Sequence, residues 1–272
     1  MAEPYDTING KGSSPKAWWR FSDASGGVTN EGSDAAGDLS EYSVSGTFNG
    51  TYRYEANPAG DGWGILLNGQ GGLRSTGLTD DFDEVRGTYF IMFRSQGTVT
   101  NPTWLFGSFR SFDIDYNRLG INGNGRGSYR VQDAGGDDIS WAGPVDQDLL
   151  DGAVHTLAVT NGSGPTDVPK IYVDGAEVSA DWVFSGSNVD YDHWPGVDYI
   201  EDWAVGYRGG VNTSPVGGIV IYEALAYDEA TPLTDQDIED IHIALGGSQP
   251  NPFGTKSIRR TNRRIFADWT AI

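Results

Sequence analysis

The chain has no cysteine in 272 residues. That excludes a disulfide scaffold and a thiol nucleophile. Its three histidines, His155, His193 and His242, are scattered and show no transition-metal ligand spacing. No Gly-x-Ser-x-Gly elbow is present. The Gly-rich stretch 120–127 leads into no helix, so it is not a phosphate loop. No apolar run approaches the roughly 18 residues of a membrane helix, and no membrane insertion is expected. The first ten residues are polar and lack the apolar centre of a secretory signal. They imply synthesis without export, or a signal already removed.

Lysine is also scarce. Four Lys and 14 Arg stand against 28 Asp and 10 Glu, for a net charge of −20. Such a surface repels nucleic acid, so no direct nucleic-acid partner is expected. An Asp-rich, Lys-poor surface suits concentrated salt and a saline source. Abundant turns account for the Asp equally well.

What the chain does have is glycine, 39 residues of it, and 12% aromatics. Short alternating apolar runs are broken by Gly, Asn, Asp and Pro, the pattern of an all-β protein. Strands are predicted at Ala17–Phe21, Gly64–Leu67, Thr88–Arg94, Trp104–Phe109, Val154–Thr160, Lys170–Asp174, Trp203–Tyr207 and Gly218–Tyr227. Between the fifth and sixth lies a polar loop. The sixth runs into Asp174-Gly175, a dipeptide that favours a type I′ hairpin turn. One helix is predicted after Thr234. Asp235 and Asp237 would lie in its first turn, Gly246-Gly247 would stop it, and Ile238, Ile241 and Leu245 would line its apolar side.

Three regions follow: an N-terminal arm over 1–16, polar and without periodicity; a β-sandwich over 17–246; and a tail over 247–272. The tail carries Lys256, Arg259, Arg260, Arg263 and Arg264 against Asp268, with Phe266 and Trp269 as apolar material. It reads as an assembly tail that docks on its own acidic domain or on a neighbouring subunit.

The motifs resemble one superfamily. Asp151-Gly152-Ala153-Val154-His155-Thr156-Leu157 followed by Ile171-Tyr172-Val173-Asp174-Gly175 resembles the central meander of laminin-G-like, concanavalin A-like jelly rolls. Trp18-Trp19-Arg20-Phe21 resembles their opening strand. Ile221-Tyr222-Glu223-Ala224-Leu225 resembles their last, with Tyr222 where the family has Asp. The resemblance implies an all-β, two-sheet antiparallel sandwich with one short C-terminal helix. It also implies a calcium ion held by Asp23, Asp34 and Glu223, a site that the exchange at Tyr222 weakens.

Glucanases of this architecture carry paired acids on one strand. The counterpart here is Asp113 and Asp115, with Ser111 and Asn117 where flanking acids would stand. No catalytic set is therefore assigned. Glycan binding is the other family-level implication. Tyr191, Asp192, His193 and Trp194 have the composition of a surface contact loop for a glycan or a protein. A lone lectin-like sandwich with two arms also resembles virion surface proteins of tailed bacteriophages. That reading implies capsid or tail proteins, or self-association, as partners, and a cell-surface glycan as a target. A carbohydrate-binding module of a secreted, extracellular protein is the alternative, and a glycoside hydrolase the remoter one.

Overall fold

The structure, a computed structural model, describes residues 4–11, 14–33, 37–42, 48–60, 62–69, 71–75, 87–97, 103–109, 116–132, 138–160, 168–179, 183–186, 202–206, 216–228 and 233–247. Two antiparallel sheets of eight strands each form the sandwich.

The first sheet runs in the order β13 (Ala176–Glu177), β12 (Lys170–Val173), β11 (Val154–Thr160), β6 (Gly87–Ser95), β16 (Val216–Asp228), β4 (Trp63–Gly69) and β3 (Gly50–Ala56). The short β1 (Ala17–Trp19) also pairs with β16. The second sheet runs β14 (Val183–Gly186), β10 (Asp138–Ala142), β9 (Gly127–Gln132), β8 (Tyr116–Ile121), β7 (Thr103–Phe109), β15 (Asp202–Val205), β5 (Gly72–Ser75) and β2 (Ser40–Tyr42).

Alternation along the strands sets the two faces of each sheet. On the first sheet Trp19, Ile65, Tyr89, Ile91, Phe93, Leu157, Val159 and Ile221 point inward. They meet Phe106, Leu119, Tyr129, Trp141, Trp203 and Val205 of the second. At the centre Trp203 lies 5.1 Å from Tyr89 and 5.5 Å from Phe106, ring to ring. The tyrosine hydroxyl stays satisfied on Ser108 Oγ at 2.6 Å.

The outer face of the first sheet is apolar too, so it needs a cover. Helix α2 (Asp235–Ala244) supplies most of it, placing Ile238, Ile241 and Leu245 over Leu225, Tyr227 and Tyr172. Each buried Ile contributes about 2 kcal/mol of transfer free energy. Thr234 and Asp237 form a reciprocal capping box at the helix start.

The N-terminal stretch differs from the arm expected of it. Residues Pro4–Asn9 form helix α1, whose Ile8 is fully buried in the same outer layer. Tyr227 donates its hydroxyl hydrogen to the Ile8 carbonyl at 3.3 Å, and Lys11 pairs with Asp237 and Asp240 of α2. One apolar residue per turn is too weak a periodicity to predict a helix of this length. Among the described residues no helix is long and apolar enough to cross a membrane.

Candidate functional site

The long strand β16 changes partners along one edge. Ile219–Ile221 pair with β4, and Ala224–Ala226 pair with β1. Between them the register against β6 slips, so that Ile221 faces Phe93 and Glu223 faces Met92. Tyr222 is the extra residue of this bulge. A bulge lets two successive side chains share a face. Here Tyr222 and Glu223 both turn to the outer face, at the seam where β4 ends and β1 begins.

The seam is polar inside. Glu223 is 1% exposed. Its Oε2 accepts from Trp18 Nε1 at 2.8 Å, and its Oε1 from Asn57 Nδ2 at 2.6 Å. Arg20 Nε lies 3.9 Å away and the same guanidinium reaches Glu31 at 3.1 Å. Burial pushes the Glu223 carboxyl up to about 8, against the pull of Trp18, Arg20 and Asn57. Beside it Arg94 forks onto Glu55, and Tyr222 donates to the same carboxylate. Burial raises the Glu55 carboxyl, but those bonds outweigh it and hold it below its usual value.

The seam anchors a hairpin. Asn57 opens the 57–62 turn, its amide donating to the Gly62 carbonyl at 3.1 Å and its Oδ1 accepting from Ala59 N at 3.0 Å. Gly62 has φ 89°, and a Cβ there would lie 2.2 Å from Ser22 Oγ. The close approach brings Ser22 onto the hairpin: its Oγ accepts from Trp63 N at 3.3 Å and its carbonyl accepts from Arg53 Nε at 3.0 Å.

Two large aromatics at this rim face solvent. Trp63 is 42% exposed and Tyr54 41%. Trp63 pairs with Ala56, two residues from Tyr54, so both fall on one face of the hairpin. The tryptophans Trp18, Trp19, Trp104, Trp141 and Trp203 are all at most 5% exposed. This rim is the candidate site. Sequence reading missed it because β3 is an edge strand with little apolar content. The signal available was the turn string Asn57-Pro58-Ala59-Gly60-Asp61-Gly62 ahead of a tryptophan.

The residues singled out from sequence fall differently. Tyr191, Asp192, His193 and Trp194 lie outside the described residues, as do Asp113, Asp115, and the tail residues Arg259, Arg260, Arg263, Arg264, Phe266 and Trp269. Asp34 does too. Of the expected calcium set, Asp23 Oδ2 accepts from the Thr29 amide at 3.0 Å, and both Glu223 oxygens accept from protein donors. Among the described residues no three His, Asp or Glu cluster as a metal cage. With Asp34 outside the described residues, the expected calcium set is described only in part, and its described carboxylates, Asp23 and Glu223, accept hydrogen bonds from the protein itself.

His155 is held between Asp174 Oδ2 at 2.9 Å and Asp151 Oδ1 at 3.1 Å. Burial lowers its pKa, but the two carboxylates outweigh that and hold it above the usual value. On the second sheet's outer face, the Arg118 guanidinium carbon lies 3.6 Å from the Tyr116 ring centre and 4.2 Å from that of Trp104. All three side chains are buried, so this stack is packing rather than a ligand platform.

Comparison with known proteins agrees with the fold. The sequence matches no family model and no curated protein. Solved structures do match. The binding domain of botulinum neurotoxin DC in complex with rat synaptotagmin II superposes with a TM-score of 0.59 at 12% identity, over 88% of this chain and 52% of that one. The same toxin's binding domain in complex with SialylT gives 0.56 at 12% identity, over 85% and 51%. Trypanosoma rangeli sialidase in complex with sialic acid gives 0.56 at 14% identity, over 84% and 32%. The chain thus spans about half the length of the toxin domains. At these identities the likeness shows a shared two-sheet β-sandwich fold and nothing more.

Proposed function

We propose that this protein is a non-enzymatic, lectin-like adhesion module that contacts glycans through the Trp63–Tyr54 rim. The exposure of two aromatics on one face, in a chain whose other described tryptophans are buried, carries the reading. A pyranose ring has one face of C–H groups, which lies well on an indole, and hydroxyls that need polar neighbours at its edge. Gln96 Nε2 donates to Tyr54 Oη at 2.7 Å, and Ser22, which accepts from Trp63 N, also accepts from Arg53 Nε. Similar folds solved with SialylT or sialic acid support the class of ligand. The loop with Tyr191, Asp192, His193 and Trp194 is a second contact segment in this proposal.

The finer setting proposed is the surface of a tailed-bacteriophage virion. There the tail over 247–272 joins the module to capsid or tail proteins, or to another copy. The sequence resemblance and the basic tail support this setting.

A glycan panel probed with wild type and Trp63→Ala tests the binding reading. Loss of at least about tenfold in affinity is expected for the variant, the scale of one removed aromatic anchor. A wild-type chain that binds nothing across the panel would overturn it.

A further inference from the structure

The rim also specifies the charge of its ligand, an inference that rests on the glycan reading above. Arg53 is an exposed residue of β3. It forms no ion pair among the described residues, in a chain of net charge −20. Most other described cations nearby are matched: Arg20 with Glu31, and Arg94 with Glu55. Arg53 is fixed nevertheless. Its Nε donates to the Ser22 carbonyl, the residue whose Oγ receives Trp63 N. The Arg53 guanidinium and the Trp63 backbone are therefore tied to one residue.

The backbone at Arg53 is also unusual. Its φ is 49°, in the left-handed region that a long side chain seldom occupies. The register between β3 and β4 slips across Thr51–Glu55, so that three residues of β3 oppose one of β4. Asn, Asp or Gly would adopt this conformation more easily. Such strain, held by the surrounding pairing, marks positions where a particular side chain is needed.

We infer that Arg53, Trp63 and Tyr54 form a subsite for a carboxylate-bearing sugar. With Nε committed to Ser22, the two terminal nitrogens of Arg53 remain to grip a planar carboxylate side by side. The sugar's C–H face rests on Trp63, and Tyr54 borders it. The carboxylate supplies a negative charge that Arg53 receives from no ion pair among the described residues. A sialic acid and a hexuronic acid share this chemistry.

Calorimetric titration of the full chain with lactose, 3′-sialyllactose and a hexuronate oligosaccharide tests the assignment. At least one acidic sugar should bind about tenfold or more tighter than lactose, and the arm that binds names its source. Added salt should weaken that binding, since the contact is an exposed charge pair. Arg53→Gln should bring the acidic sugar down to the lactose level. Arg53→Gly, which suits the left-handed backbone and so protects folding, should do the same with an unchanged or higher melting temperature. Two results overturn the inference while leaving the glycan reading intact. In one, acidic sugars bind no tighter than lactose. In the other, Arg53→Gln and Arg53→Gly bind like wild type while Trp63→Ala loses binding. Absence of binding to all three sugars and to a wider panel overturns both.

Discussion

Glu223 shows how one carboxyl can tie a rim of the sandwich to its core. It sits under 2% exposure with two neutral donors on its oxygens and a guanidinium at a distance. Its folded-state pKa of about 8 exceeds the ordinary carboxyl value, so the folded chain holds a proton that the unfolded chain releases. Stability from this group is present below about pH 4.5 and is lost as pH rises through 8, at up to about 1.4 kcal/mol per pH unit. Glu223→Gln keeps the acceptor for Trp18 or Asn57 and cannot ionise. Denaturant unfolding of this variant between pH 5 and 8 should show a shallower decline than wild type. Equal slopes would mean that Glu223 is already ionised at pH 5.

At the scale of elements, the meander Val154–Glu177 and helix α2 lock one another. Asp174 and Gly175 have φ of 51° and 77°, the paired positive values of the type I′ turn. Asp174 then does three things: it accepts from the Thr156 amide at 2.9 Å, binds His155, and places Gly175 against α2. A Cβ at Gly175 would lie 3.0 Å from the Cβ of His242, whose Nδ1 bonds Thr156 Oγ1 at 2.8 Å. Gly175→Ala therefore meets both a left-handed backbone and a crowded neighbour, and should cost about 1–3 kcal/mol. Thermal unfolding measures this; an unchanged melting temperature would refute the turn's role in docking α2. The raised pKa of His155 acts with it. Its stabilisation is full below its ordinary value near 6.5 and fades as pH climbs through the folded value.

For the whole molecule, charge is distributed unevenly along the chain. The net −20 includes a tail of five cations and one acid. The remainder therefore repels itself, and a basic segment is drawn to it or to another copy. We expect the full chain to self-associate at low ionic strength and to dissociate in concentrated salt, while a chain ending at residue 246 stays monomeric in both. Light scattering across a salt series reads this directly. Identical monomer masses for the two chains at low salt would exclude the tail as a self-association segment. In the proposed function the rim and the tail are separate parts, the one for a ligand and the other for a partner.

Local chemistry alone specified much of this protein. The alternation in eight runs predicted strands β1, β4, β6, β7, β11, β12, β15 and β16, because buried strands advertise themselves by apolar content. The turn at Asp174-Gly175 and the cap at Thr234 were equally legible, because both depend on neighbours a few residues away. Edge strands such as β3 were not, since their solvent-facing side chains carry no core pattern. Nor was helix α1, which is stable only where the first sheet offers Ile8 a surface. The rim lay deepest out of sight. Trp63 stands just ahead of the predicted strand Gly64–Leu67, and only the tertiary pairing shows it exposed at the start of β4. That Glu223 meets Trp18 and Asn57 follows from a bulge in β16, which no local pattern announces. Burial and register are properties of contacts between distant segments, here residues 18, 57 and 223. Only the folded chain brings these together.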